Sequence, residues 1–484
     1  MKKIWTYGLS FGLLLLTWTV QSQTAVDTIY QNILQANAID PSIAPEIKIA
    51  TSKRFGAAYQ PSSNTILVEN HLLQALNQFG AAKKDALAFL IGHELIHALQ
   101  QLDHDEHFIA YDKTPNQERS KEERADIQGA FMAHLAGYEC GPVLPKLIDA
   151  IYEIYELKDQ LAGYPSKSER QYTIWKVVDQ VNKLQYMYEL ANLLTLGGEE
   201  SMGIDLYSEI LSFVPSPILE YNIGVGYIRT ALKSCSYQVD QFVLPVELDW
   251  SLRLDLPELP GGAKDLPIGE RYRRDINLKK ASIHFQNSLE LNPEYTNGIA
   301  GWSMVKLLEE KFTESQGILI KTLQSENLPG KDKDLLLLIL GINHLAIGTV
   351  SNANQCFNQI SDPAFAYYAK LNDQIARKEK TESQKAFTGK IDLTSKFLSS
   401  PTELRFKVEH GLVEVSGQDY RVTTTSGCQF DFIRIDPPKY QITPFHEVKQ
   451  VLGEHLQYLS YFEPNSRRWI SYSFSSTPCT SPSR

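Results

Sequence analysis

The feature that most constrains the fold of this chain is an unbroken apolar run that contains two histidines and a glutamate. From Asp85 to Leu99 the chain reads Asp-Ala-Leu-Ala-Phe-Leu-Ile-Gly-His-Glu-Leu-Ile-His-Ala-Leu. Strong helix formers dominate this run and Gly92 is its only breaker, which predicts one continuous and largely buried helix. Ionisable side chains are costly to bury without partners, so the rest of the chain has to provide those partners.

The two histidines and the glutamate of this run follow the spacing His93-Glu94-x-x-His97. Residues four apart share one face of a helix, so both imidazoles can reach one tetrahedral ion while Glu94 projects beside them. This spacing can also arise by chance on a polar helix surface. The burial expected from the apolar neighbours argues against that alternative, and we predict a zinc site with His93 and His97 as ligands.

The third ligand of this site has two candidates. Glu122 and Asp126 lie four apart, so Glu122 can bind the metal while Asp126 accepts the outer N–H of a ligand histidine and fixes its tautomer. Asp103 stands where a metzincin places its third ligand, but Gln100 replaces the glycine that turns the chain in that pattern. We therefore favour Glu122 over Asp103. The alternative to a metal-binding role is that the charged stretch around Glu122 is only a solvent-exposed surface.

These motifs resemble the HtpX and CAAX prenyl protease family of gluzincin metallopeptidases. More loosely, the export signal, the peptidase domain and the TPR-like helical tail described below together look like the soluble exported BepA type of that family. In that family HExxH is followed by ExxAD, which opens a helix ending in Ala-Gly-Tyr; here these are His93–His97, Glu122–Asp126 and Ala136–Tyr138. The stretch Gly56–Tyr59 ahead of Thr65–Val68 resembles the strand that borders the substrate groove, without its usual asparagine. The resemblance covers about residues 40–180.

The resemblance implies hydrolysis of peptide bonds. Zinc would activate water and polarise the scissile carbonyl, while Glu94 would take the water's proton and pass it to the leaving amine. Tyr164 begins a segment that resembles the family's His-Pro-Ser sequence and ends in Arg170, with Tyr164 in the place of the histidine. Arg170 and Tyr164 are then candidate donors to the oxyanion, although such a sequence is also an ordinary start of a helix.

The first residues predict export of the chain. Lys2 and Lys3 precede an apolar stretch from Ile4 to Val20, and the small residue Ser22 follows it. This is typical of a secretory signal peptide over residues 1–22, which leaves no stable transmembrane span after cleavage and indicates a periplasmic or secreted protein. The alternative is an uncleaved anchor helix, because the apolar run is only slightly short of a span.

The net charge and the spacing of the cysteines argue against two kinds of binding. The net charge of −10 argues against a nucleic acid, whose binding needs clustered Lys and Arg. The five cysteines show no CxxC spacing, which argues against a thiolate metal site. Cys428 and Cys479 share the C-terminal segment and could pair in an oxidising compartment.

The length of 484 residues requires several cores. We predict a mainly α chain with a mixed α+β zincin catalytic domain (24–180, strand-like near 47–50 and 65–68), a TPR-like α-solenoid (181–380) and a small β-rich C-terminal domain (395–484). The solenoid prediction follows from a weak repeat of about 34 residues, with aromatic residues at second-helix positions Tyr207, Phe285 and Phe357. A generic helical domain is the alternative. A Pro- and Gly-rich insert between Ser236 and Gly269 is interpreted as a loop over the solenoid.

Two classes of function are compatible with this organisation. The first is a zinc-dependent endopeptidase that hydrolyses envelope or secreted proteins and recruits protein partners on its repeats. The second is a scaffold or chaperone of the cell envelope with little or no proteolytic turnover. A zinc-dependent hydrolase of another substrate class is a third and weaker hypothesis.

Overall fold

The computed structural model describes most of the chain outside the N-terminus and several connections. The described residues are 23–53, 56–102, 115–156, 167–233, 238–246, 248, 268–325, 328–378, 404–408, 411–416, 419–425, 428–435, 450–453, 456–463 and 468–477. The predicted signal peptide, Asp103 and Tyr164 lie outside these ranges. None of the helices found in the described ranges combines the length and the hydrophobicity needed to cross a bilayer.

The chain divides into two compact units, Met1–Tyr186 and Met187–Arg484. The first unit contains a three-stranded sheet in the order β1-β3-β2, formed by β1 (Glu46–Ala50), β2 (Ala57–Gln60) and β3 (Thr65–Glu69). β1 runs parallel to β3 and β2 runs antiparallel to it, so β2 is an edge strand of this sheet. Ile66 and Val68 of the central strand are fully buried, which explains the apolar pattern of this stretch.

α-Helices precede and follow this sheet along the chain, and the last of them continues past the boundary at Tyr186. They are α1 (23–36), α2 (Asn70–Ala75), α3 (Lys83–Leu102), α4 (Pro115–Leu135), α5 (Leu144–Ile154) and α6 (Lys167–Gly197). α3 is the predicted apolar helix, and side chains on all its sides are buried, as expected for a helix without a polar face. The domain boundary predicted after residue 180 falls inside α6, near the boundary between the two units.

α3 and α4 cross where two glycines face each other. A Cβ added to Gly92 would stand 2.5 Å from the carbonyl oxygen of Gly129, and one added to Gly129 would stand 2.5 Å from the backbone nitrogen of His93. No larger residue fits at either position while the helices keep this separation. The two glycines therefore set the distance between the helices that carry the predicted metal ligands.

The second unit is built on a stack of helices. After α6 these are α7 (Glu200–Leu211), α8 (Pro217–Leu232), α9 (Ile268–Leu291), α10 (Thr296–Leu308), α11 (Phe312–Leu323), α12 (Gly330–Ala346), α13 (Val350–Phe357) and α14 (Pro363–Ala376). α8, α10, α12 and α14 also contact one another in succession, and we call this set the alternate-helix layer. Phe285 packs against Gly224 and Gly301 so closely that neither glycine has room for a Cβ.

The C-terminal part of the second unit is a seven-stranded antiparallel sheet in the order β4-β5-β6-β7-β10-β9-β8. Its strands are β4 (Leu404–Val408), β5 (Gly411–Ser416), β6 (Asp419–Thr424), β7 (Gln429–Ile435), β8 (Gln450–Gly453), β9 (Leu456–Glu463) and β10 (Arg468–Thr477). Alternate residues of the middle strands are buried, namely Val413, Val415, Tyr420, Val422, Phe430 and Phe432. The Tyr420 hydroxyl donates to Glu189 of α6, which ties the sheet to the helices of the same unit.

The cysteines divide into free and bonded ones. Cys140 and Cys356 are free and buried, whereas Cys428 belongs to a disulfide whose partner lies outside the described residues. The pairing of Cys428 with Cys479 stays a prediction.

Candidate metal centre

Two adjacent helices bring two imidazoles and one carboxylate together. His93 and His97 lie one turn apart on α3, and their Nε2 atoms are 3.1 Å apart. Glu122, in the middle of α4, places one carboxylate oxygen 3.4 Å from Nε2 of His93 and the other 3.4 Å from Nε2 of His97. The described residues thus contain a group of three side chains that could hold a metal ion.

The spacing of these atoms has the size that a small tetrahedral ion requires. Ligand atoms placed 2.0–2.1 Å from such an ion stand roughly 3.3–3.4 Å apart at the corners of a tetrahedron. The Nε2 atoms of His93 and His97 lie 3.1 Å apart, and each lies 3.4 Å from a different oxygen of Glu122, so each separation is close to such an edge length. Two imidazole nitrogens and one carboxylate oxygen also form a ligand set found in zinc sites that keep one position open. The residues therefore fit a metal ion in number and in chemistry, and they lie close enough together to hold one.

A buried carboxylate stands behind the first histidine. The side chain of Asp126 is fully buried, and its Oδ1 atom lies 2.9 Å from Nδ1 of His93. This contact occupies the ring nitrogen that faces away from His97 and Glu122, and so directs Nε2 of His93 towards them. Arg170, in the first turn of α6, places its two terminal nitrogens 2.8 Å from the two oxygens of Asp126. Side chains of α4 and α6 thus hold the orientation of the His93 imidazole on α3.

The electrostatics of the cluster favour positive charge between its members. Burial lowers the pKa of His93, but the contacts with Asp126 and Glu122 outweigh it and raise the pKa to about 10. Burial would raise the pKa of Glu122, yet its contacts with His93 and His97 hold that pKa well below its usual value. Carboxylates that stabilise a proton on these imidazoles stabilise a metal cation at the same place for the same Coulombic reason.

Glu94 lies next to this cluster but outside it. One of its carboxylate oxygens accepts a hydrogen bond of 2.7 Å from the backbone amide of Tyr59 on edge strand β2. Glu94 is not a member of the group that could hold an ion. The side chain therefore lies beside the candidate ligands and is held by the edge strand of the sheet, which α3 contacts.

The remaining predicted site residues have different outcomes. Arg170 uses both of its terminal nitrogens on Asp126, and its role as an oxyanion donor stays a prediction. Tyr164 and Asp103 lie outside the described residues, so their roles stay predictions as well. Two contributors did not stand out in the sequence: the amide of Tyr59 and the glycine Gly129. Glycine inside a helical pattern is a signal of close helix packing that could have found Gly129.

Comparison with protein-family models and with curated proteins gives no match to this chain. What the described residues define is a class of architecture: a mainly helical protein with small sheets, carrying a candidate metal centre of two histidines and one glutamate on neighbouring helices.

The crossing of α3 and α4 makes Gly129→Ala a direct test of how this centre is assembled. The added methyl group would meet the backbone at His93, so the helices must separate and Glu122 must withdraw from the histidines. We expect a loss of about 1–3 kcal/mol in unfolding free energy, as for other overpacked sites, together with weaker metal binding. Denaturant unfolding and metal content after dialysis measure the two effects.

Gly317→Ala is the matched control, because Gly317 also lies within a helix but has open space where a Cβ would stand. Alanine is the better helix former, so this variant should be as stable as the parent or slightly more stable. Equal stability and metal content of the two variants would contradict the assembly that we describe.

Proposed function

We propose that the protein is an exported zinc-dependent endopeptidase that hydrolyses peptide bonds of envelope or secreted proteins. One observation carries this proposal: His93, His97 and Glu122 form a group that could hold a metal ion, while a further carboxylate, Glu94, lies beside them and outside that group. A purely structural zinc site is closed by four protein ligands and has no use for such a neighbouring base.

Each side chain of the cluster has a distinct part in the proposed reaction. Zinc bound at this centre would supply Lewis-acid polarisation of a carbonyl and acidify a water molecule. Glu94 would accept a proton from the attacking water and return it to the leaving amine. Asp126 keeps Nε2 of His93 directed towards His97 and Glu122, and Arg170 acts through Asp126 as a positioning residue. This assigns Arg170 a role different from direct donation to the oxyanion.

The sheet edge supports a polypeptide as the substrate. β2 pairs with β3 on one side only within the described sheet, and it passes close enough to the centre for the Tyr59 amide to bond Glu94. An extended peptide can add to such an edge as a further strand, which would bring its carbonyl groups past the ion. A small non-peptide substrate has no need of a strand edge beside the metal centre.

A second candidate function is a scaffold or chaperone of the cell envelope with little proteolytic turnover. It is favoured by the amount of chain devoted to stacked helices, and by the hydrogen bond that already occupies Glu94. Stacked helical repeats present extended surfaces for protein partners. The two candidate functions share the fold and differ in whether the metal centre hydrolyses peptide bonds.

The test is degradation of casein by the purified full chain, compared with zinc content. We expect about one zinc per chain, cleavage that stops on treatment with a chelator, and recovery when zinc is added back. The proposed reaction needs the ion, and the deprotonated ligands can bind it again once the chelator is removed. A serine-protease inhibitor is the control for a contaminant and should have no effect. Stoichiometric zinc without cleavage of casein or peptides would favour the scaffold.

A further inference from the structure

The first part of the insert after α8 is packed into the second unit. Residues 238–246 begin with a short 3-10 turn (Gln238–Gln241), and the apolar side chains Val239, Phe242, Val243 and Leu244 are all buried. We call residues 238–246 the resident segment. Its internal backbone hydrogen bonds are local, from Phe242 to Val239 and from Val246 to Leu244. The segment is therefore held by what surrounds it more than by its own secondary structure.

One buried side chain forms two hydrogen bonds with the backbone of this segment. The side-chain oxygen of Asn372 accepts a hydrogen bond of 2.7 Å from the amide of Val243, and its nitrogen donates one of 2.9 Å to the carbonyl of the same residue. The same nitrogen also donates to the carbonyl of Tyr368 one turn earlier in α14. Asn372 is fully buried. It recognises a peptide backbone and is indifferent to the side chain that the backbone carries.

The resident segment lies across the alternate-helix layer. Asn372 belongs to α14, and the 3-10 turn that opens the segment contacts α10, another member of the layer. The apolar side chains of Phe242 and Leu244, on both sides of Val243, are buried, and so is Asn372, which bonds the backbone of Val243. An amide buried as deeply as Asn372 needs a partner at all times, and any peptide backbone of the same geometry satisfies it equally well. The layer therefore has the properties of a peptide-binding site that is filled by its own chain.

We propose that the alternate-helix layer is a receptor for a non-helical apolar peptide segment, and that residues 238–246 are its intramolecular ligand. The partner is a protein that presents a segment of the same chemistry, with bulky apolar residues around one peptide unit held by Asn372. Covalent attachment to α8 gives the resident segment a high effective concentration, so a partner has to displace it. The inference rests on the proposed role of the helices in binding a protein, and does not depend on zinc or hydrolysis.

The experiment uses the full chain and a fluorescent peptide with the sequence of residues 238–246. In the double variant Phe242→Asp, Leu244→Asp the resident segment loses its apolar anchors, and we expect it to bind the peptide at least tenfold more tightly than the parent does. Adding Asn372→Ala to the double variant should abolish that binding. A peptide carrying the same two aspartates is the matched control and should not bind to any form.

A second variant keeps the proposal testable if the double variant fails to fold. Val243→Pro keeps the segment apolar but removes the amide that bonds Asn372, so it should also raise peptide affinity while circular dichroism stays unchanged. If folded variants take up no peptide, or if both changes unfold the helices, the segment is an integral part of the core and the proposal is overturned. Zinc content and casein cleavage measured on the same samples separate this failure from a failure of the proposed function.

Discussion

Glu94→Gln is expected to keep stoichiometric zinc and near-native stability while kcat for peptide hydrolysis falls by about 10²–10⁴-fold. The amide of glutamine cannot accept a proton from water, so the proposed general base is lost. The fold should tolerate the change, because the side-chain carbonyl of glutamine can still accept the hydrogen bond from the Tyr59 amide. None of the three candidate ligands is altered.

The measurement pairs zinc per chain, by atomic absorption after dialysis, with turnover of a peptide substrate. Since Glu94 lies outside the ligand group, loss of the metal in Glu94→Gln would contradict its assignment as a base. Unchanged kcat with zinc retained would remove Glu94 from the mechanism and leave the centre without a nearby proton acceptor on α3.

Local periodicity was sufficient to predict part of this centre. Because a helix repeats every few residues, the spacing of His93 and His97 alone places both rings on one face, and the structure puts their Nε2 atoms 3.1 Å apart. The third ligand required more, since α3 and α4 are separate elements whose packing no local pattern specifies. The missing glycine at Gln100 favours Glu122 over Asp103, but only the packing of the two helices places one Glu122 oxygen 3.4 Å from Nε2 of each histidine.

The contacts that the sequence could not predict share one property: each joins residues far apart in the chain through a group with no distinctive chemistry. The Tyr59 amide that bonds Glu94 is an ordinary backbone N–H. Gly129 matters because of what stands opposite it, the backbone at His93. Asn372 resembles any helical asparagine until its two bonds to Val243 are seen. Such contacts depend on how elements pack, and periodicity carries no information about that packing.

Glu122→Gln is expected to strip zinc from the chain and to abolish activity with it. The substitution removes the charge of a carboxylate whose two oxygens each lie 3.4 Å from Nε2 of one imidazole, and a neutral amide is a poor replacement for a carboxylate in such a ligand set. Asp126→Asn should weaken zinc binding by a smaller factor of about 10–100, because Asp126 orients a ligand and does not touch the ion. Zinc retained after dialysis against a mild chelator ranks the variants.

Two controls make this ranking decisive. Glu123→Gln applies the same chemical change one residue further along α4, outside the candidate ligand group, and should leave zinc and activity unchanged. Asp103→Asn should also have little effect, because the gluzincin arrangement gives Asp103 no part in the centre. If Asp103→Asn strips the metal while Glu122→Gln keeps it, the third ligand has been misassigned. The resemblance would then fail with it, because the ExxAD segment on α4 is what distinguishes this centre from that of a metzincin.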